Sequence, residues 1–261
     1  MDRAARRLRP VSDAPVPHAA RAGSFGAVAE DYDRYRPGPD PVVAEWLLPD
    51  PVDRVVDLGA GTGALTRLLV DRAGEVVAVE PDARMRAVLA RQVPSAAVYD
   101  GDSTRIPLPV ASADVVAVCS AWHWMDPGPT GAEVGRVLRP GGHLGVVWSG
   151  VDWSAGPLAG SWPALRGGRT GGRHRHRQVT LAPDAPFAPA ERTRLQWTRS
   201  LSADELVAMV GTYSAVITSS PARRAEVLAG ARDHLQRTLG LSGGDTVEVP
   251  FAADCWRLRR R

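Results

Sequence analysis

The residues with the clearest chemistry lie in VVDLGAGTGALT, residues 55–66. Gly59, Gly61 and Gly63 separate a β-branched apolar run from a helix-forming run. A loop of this kind brings backbone N–H groups and a helix N-terminus against a ligand. Gly59, Gly61 and Ala64 satisfy the relaxed G-x-G-x-x-G/A dinucleotide pattern. Glu80 follows about 20 residues on, where a carboxylate grips ribose hydroxyls. Both features serve nicotinamide dinucleotides and other adenosine cofactors alike, so they leave the two open. Asp57, just before the loop, is poorly suited to a pyrophosphate and well suited to a ligand carrying an ammonium. It could equally tie the loop down through backbone amides. In YDGDSTRIPLP (99–109), Asp102 and Ser103 offer a carboxylate to an adenine amino group and a backbone N–H to a ring nitrogen. Asp102 could alternatively cap its own loop.

A second group sits in AWHWMDP, residues 121–127. His123 could deprotonate an acceptor hydroxyl or amine, since an imidazole titrates near neutrality. The alternative is a stacking residue between Trp122 and Trp124. Trp148 ends the expected fifth strand and Asp152 follows it. RHRHR (173–177) has alternating histidines with no carboxylate or cysteine to complete a metal set, so it reads as a solvated loop and no metal site is expected. Cys119 reads as a small apolar residue within its strand.

Positioning these residues takes alternating strands and helices. Strands are expected at 54–58, 75–79, 96–99, 113–120 and 143–149, with helices at 62–73, 81–92 and 128–138, the last stopped by RPGG. Near-continuous Val, Leu and Ala strands imply a mostly parallel sheet buried on both faces. Residues 150–190 break the rhythm and read as an excursion over the sheet. A strand resumes at 191–201, a helix opens at Ser202 with Glu205 completing a capping box, another helix covers 221–239, and a last strand at 245–260 is interrupted at Pro250. Residues 1–24 read as a flexible leader and 25–261 as one domain. Its cofactor-binding core is at about 50–150, its cap at about 150–190 and 202–240, and its last strands at about 191–201 and 245–260.

The chain has 261 residues, 44% of them hydrophobic, enough for a sizeable core. No apolar run approaches the roughly 18 residues needed to span a bilayer, and no secretory signal is evident, so the expected location is the cytoplasm. Two cysteines are too few for a disulfide framework. The net charge of +3 invites a nucleic-acid reading, but all 32 basic side chains are Arg, scattered apart from both termini and GGRTGGRHRHR. Solvated Arg from a GC-rich coding sequence is the favoured reading, with neither nucleic acid nor membrane as partner.

Taken in order, DLGAGTG, YDGDSTRIPLP, ADVVAVCSAWHWMDP and RVLRPGGHLGVVW resemble the class I S-adenosylmethionine-dependent methyltransferases. The likeness is to their methyltransferase-11-type small-molecule branch of actinobacterial proteins. FGAVAEDYDRYRPGPDP is similar to that branch's N-terminal F-x-x-x-A-x-x-Y-x-x-x-R-P segment, and the likeness runs from Phe25 onward. The resemblance implies a doubly wound, seven-stranded α/β fold with a helical cap over the C-terminal strand ends. It implies S-adenosyl-L-methionine as cofactor and methyl transfer to O, N or C of a small molecule, with a secondary metabolite as one guess. Arg36 would reach the methionyl carboxylate beside the amides of Gly59, Ala60, Gly61 and Gly63, and Tyr32 would close the pocket. Glu80, followed by Pro81, would hold the ribose, Asp102 and Ser103 the adenine, and Ser120 would also face the cofactor. Trp122, His123, Trp124 and Trp148 would face the acceptor. The family tends to have Asn after that Trp where this chain has Ser149. Binding of S-adenosylmethionine without methyl transfer is the alternative.

Overall fold

A computed structural model describes residues 25–167 and 178–261. The expectations for the leader (1–24) and for RHRHR (173–177) lie outside the described residues. The sheet has seven strands: β1 (Val52–Leu58), β2 (Ala73–Val79), β3 (Ala97–Tyr99), β4 (Ala113–Cys119), β5 (Leu138–Val151), β6 (Glu191–Ser202) and β7 (Thr246–Arg259). Their order is β3-β2-β1-β4-β5-β7-β6. β7 runs antiparallel to both its neighbours, and the pairs among β1 to β5 are parallel.

Valine alternation explains the two faces. Val56, Leu58, Val77, Val79, Val116 and Val118 pack in one core cluster, while Val55, Val76, Val115 and Ala117 pack in another across the sheet. Side chains one residue apart point to opposite faces, so a run apolar at every position must be covered on both. The strand order reverses between β1 and β4, which opens a crevice beyond their C-terminal ends.

The described helices are α1 (Ala29–Tyr35), α2 (Pro41–Leu47), α3 (Thr66–Leu69), α4 (Ala83–Gln92), α5 (Pro127–Val137), α6 (Trp162–Leu165), α7 (Ala203–Gly211), α8 (Ser214–Ile217) and α9 (Pro221–Leu239). Four of the expected helices begin at a side-chain cap, α9 at Ser220, which accepts from the Arg223 N–H. Asp82 accepts from the Arg84 N–H, Asp126 from the Gly128 N–H, and Ser202 with Glu205 forms the expected box.

Three expectations are corrected. The helix expected over 62–73 shrinks to α3, because Gly61 and Gly63 have φ of 58° and 89°, outside helical geometry. The helix before RPGG stops at Val137 as expected, but the strand expected at 143–149 starts earlier, at Leu138, which pairs with Ala113, and runs on to Val151. β7 is not interrupted at Pro250, which pairs with Thr198 of β6. The Pro250 carbonyl accepts from the Asp152 N–H at 2.8 Å, so the edge lacking an N–H faces the place where β5 ends. No ladder bond is lost there.

The cap has its own core. Leu158 and Leu165 of the excursion pack with Leu206, Val210, Val227 and Leu235. Val151, at the end of β5, and Phe251, near the start of β7, join them, so the cap meets the sheet at the end where the parallel strands finish. No helix among the described residues is long and apolar enough to cross a membrane.

Candidate active site

The site forms where β1, β2 and β4 end. The Gly59 and Ala60 N–H groups both donate to the Val79 carbonyl, at 2.8 and 3.2 Å, which folds the glycine loop back over β2. Gly61 sits at φ 58° with nothing within 4 Å of where a Cβ would stand. Its glycine is therefore required by conformation, while the open space lets a ligand approach the backbone.

Glu80 clasps this loop. Its Oε2 accepts from the Gly61 N–H and its Oε1 from the Asp82 N–H, both at 2.9 Å. Burial pushes its pKa up, and the two amides oppose that shift. An ionised carboxylate has about four lone-pair sites, so two remain for a diol.

Asp57 is buried, and its Oδ2 accepts from the Thr66 hydroxyl at 2.6 Å. Its Oδ1 is buried with no hydrogen-bond partner. Burial raises its pKa to about 7. A buried acceptor left unmatched costs about 1–3 kcal/mol, so an orphan here fits a ligand cation. The counterpart is Arg36, just past α1, whose Nη1 is also buried without a partner. Its guanidinium lies over the Tyr213 ring, 4.1 Å from the centroid. Tyr32 is close to Arg36, Cys119, Tyr213 and Glu80, and burial pushes its hydroxyl pKa up. One unmatched carboxyl oxygen and one unmatched guanidinium nitrogen match the ammonium and carboxylate of an amino-acid moiety. The residues present fit the methionyl end of S-adenosylmethionine.

The N-terminal segment roofs this region. Phe25 and Tyr32 pack with Ala29, Met85 and Val88, so the segment rests on α4. Phe25 also meets the Tyr32 and Trp124 rings edge-on, at 5.4 and 6.0 Å. Past β4, Ser120 adopts φ 55°, rare for a residue with a side chain. Its N–H donates to the Val147 carbonyl and its Oγ accepts from the Ser149 N–H, at 2.7 and 3.3 Å. Cys119 beside it is no nucleophile at neutral pH, because burial drives its thiol up to about 12.

The loop after β3 behaves differently. Asp102 Oδ1 accepts from the Thr104 N–H, the Thr104 hydroxyl and the Arg105 N–H, at 2.7, 2.6 and 3.1 Å. These bonds hold its pKa low, the Thr104 side chain contributing most. Asp102 is thus a loop cap through one oxygen. Ser103 is pinned by the Thr130 hydroxyl at 2.9 Å. The Ile106 N–H donates to Glu133 at 2.7 Å, and Arg136 ties Glu133 to the Leu108 carbonyl.

His123 lies exposed on a short 3-10 turn, its ring 4.7 Å from that of Trp124. Trp122 and Trp148 are packed in the core with Val134, Leu144 and Trp256. Their truncation would cost about 3–5 kcal/mol in packing. Asp152 is held by Arg194 at 2.9 Å and by Ser154. Sequence reasoning missed Thr66, Phe25 and Tyr213. Phe25 opens the F-x-x-x-A-x-x-Y segment and Thr66 closes the glycine stretch, so both stood in motifs without a role, while Tyr213 has no signal and only folding brings it to the site.

Seven strands in this order, a glycine loop after β1 and an acid ending β2 are the architecture of the Rossmann-like class I methyltransferases. A family model described as a methyltransferase domain matches residues 56–146. Named an uncharacterized methyltransferase, a protein of Mycobacterium tuberculosis is 40% identical over 237 residues, covering 90% of this chain and 94% of its own. Among solved structures, a protein of Anaeromyxobacter dehalogenans described as a type II methyltransferase superposes with a TM-score of 0.68. It is 24% identical and covers 86% of this chain and 98% of its own. The [4+2]-cyclase SpnF shares the fold at a TM-score of 0.51 and 17% identity, covering 95% of this chain and 97% of its own. The fold by itself therefore leaves the reaction open, and the sequence relationship decides it. The chain belongs to the methyltransferase family and is an S-adenosylmethionine-dependent methyltransferase.

Proposed function

We propose that the chain methylates O, N or C of a small molecule held under the cap. A high-GC tailoring enzyme for a secondary metabolite is the role that fits by analogy of fold. The observation that carries the cofactor site is the pair of buried, unmatched groups, Asp57 Oδ1 and Arg36 Nη1. When bound, the cofactor supplies a sulfonium methyl open to direct displacement.

The chain's own residues hold and align. Arg36 takes the methionyl carboxylate, Asp57 the ammonium and Glu80 the ribose, while the Gly59, Ala60, Gly61 and Gly63 amides donate inside the loop to Val79, Glu80 and Ala60 and shape it. Ser103, beside the Asp102 cap, presents backbone to the adenine. Ala60, Pro81 and Ser120 line the same path. Tyr32, Phe25 and Trp124 exclude water, and their ring faces favour a desolvated cation. Alignment at about 3–3.5 Å supplies most of the rate. His123, with Trp124 on the acceptor side, is the candidate general base.

A small-molecule acceptor is favoured over nucleic acid by how the C-terminal arginines are used. Arg257, Arg259, Arg260 and Arg261 donate to the carbonyls of Trp46, Gly141, Leu138 and Ala185, so they tie the chain end down.

Calorimetric titration with S-adenosylhomocysteine tests the cofactor site. Micromolar binding to the wild type is expected, with loss in Gly61→Val and none for NAD. Binding of NAD but not S-adenosylhomocysteine would overturn the assignment. Once an acceptor is found by mass, His123→Gln lowers kcat about 10²-fold or more if it is the base, and barely if alignment suffices.

A further inference from the structure

Tyr213 stands at a corner of the cap, between α7 and α8. Its N–H donates to the Val210 carbonyl, and its own carbonyl accepts from the Val216 and Ile217 N–H groups, at 3.2, 2.8 and 2.9 Å. The ring is clamped as firmly as the backbone. Trp162 of the excursion meets it edge-on at 4.8 Å, and Trp153 stacks on Trp162 at 4.7 Å. On its other contact lies the Arg36 guanidinium, 4.1 Å from the ring centroid. α1, which leads into Arg36, also packs against α7.

The geometry of a guanidinium gives this contact a consequence. Its five N–H donors lie in one plane, pointing outward from the edge. The Tyr213 ring holds the cation by its π-face, and the Tyr213 side chain also accepts a hydrogen bond from it. Arg36 is held in this way while Nη1 remains buried and unmatched. An arginine free to rotate would spend side-chain entropy on reaching a carboxylate; this one has spent it already.

We infer that Tyr213 is a positioning residue, which holds Arg36 through its ring so that the unmatched Nη1 meets the carboxylate of the bound cofactor. The inference rests on the reading of the site as an S-adenosylmethionine pocket. It gives the cap a part in cofactor recognition as well as in covering the acceptor. Nothing in the neighbourhood of Tyr213 along the chain signals this role, because its partner comes from the opposite end of the described sequence.

The test compares S-adenosylhomocysteine with 5′-methylthioadenosine, which keeps the nucleoside and lacks the carboxylate and ammonium. Both are titrated into the wild type, Tyr213→Leu, Tyr213→Phe, Arg36→Gln and the Arg36→Gln/Tyr213→Leu double variant. Tyr213→Leu is expected to weaken S-adenosylhomocysteine about threefold to thirtyfold and leave methylthioadenosine unchanged. Tyr213→Phe keeps the ring and loses the hydroxyl's hydrogen bond to Arg36, so its affinity for S-adenosylhomocysteine falls between the wild type and Tyr213→Leu. The double variant loses no more than Arg36→Gln alone, since the tyrosine acts through the arginine. Where Tyr213→Leu does not fold, Tyr213→Met, unbranched and adaptable, takes its place. Equal weakening of both ligands, additive losses, or no loss at all would overturn the inference. A wild type that binds neither ligand would overturn the cofactor reading beneath it, which is a separate result.

Discussion

Asp57 concentrates the electrostatics of the site in one carboxyl group. Burial lifts its pKa from 3.8 to about 7, and its Oδ1 has no partner. The folded protein therefore holds a proton that the unfolded chain releases. Stability from this group is fully present below the unfolded value and is lost as pH rises through about 7. Thermal melts between about pH 5 and pH 8 should show stability falling as pH rises, and Asp57→Asn should flatten that slope. A ligand ammonium reverses the preference by favouring the ionised form. At about pH 6, S-adenosylhomocysteine should bind with release of a proton, seen as a dependence of calorimetric heat on buffer ionisation enthalpy. An identical dependence in Asp57→Asn would place the proton elsewhere.

Among the elements, α5 has a task beyond covering the sheet. It carries Thr130, Glu133 and Arg136, which together grip the loop from Ser103 to Leu108. Arg136 holds the Glu133 carboxyl ionised, and burial opposes this less strongly. Glu133→Ala leaves the Ile106 N–H without its acceptor, at a cost of about 1–3 kcal/mol. The expected outcome is a lower Tm with weaker binding of S-adenosylhomocysteine and methylthioadenosine alike, because the adenine side serves both ligands. Unchanged affinity for both would mean that the loop keeps its shape without α5. The contrast with Tyr213, which concerns the carboxylate end alone, makes the two variants internal controls.

For the whole molecule, the cofactor site gathers residues from the N-terminal segment, three strand ends and the cap. A ligand bridging them binds the folded chain only, so it stabilises by mass action. At about one hundred times Kd, S-adenosylhomocysteine adds about 2.7 kcal/mol. For a chain of this size that is a rise in Tm of about 5–10 °C, which differential scanning fluorimetry reads directly. NAD at the same concentration should leave Tm where it was. A shift with NAD and none with S-adenosylhomocysteine would reverse the preference.

The limits of sequence reading follow the range of the interactions. Gly59, Gly61 and Gly63, the end of β2 at Glu80, the capping box at Ser202 and the valine strands are signals between chain neighbours, and spacing alone reveals them. From these an alternating α/β fold with an adenosine-cofactor loop could be read, while the seven-stranded methyltransferase fold and its cofactor followed from the resemblance of the motifs taken in order. Other features depend on which segments meet. The shortening of α3 came from positive φ at two glycines, and the extension of β5 back through RPGG came from pairing with Ala113. Pro250 fits within β7 because β5 ends beside it. Trp122 and Trp148, which sequence could only offer as acceptor walls, have their rings in the core. The orphaned Oδ1 of Asp57, the unmatched Nη1 of Arg36 and the Tyr213 ring beside it exist only once distant segments are brought together. Backbone geometry and periodicity are local, so sequence carries them on its face; burial and partnership are properties of contacts, and only the tertiary structure decides those.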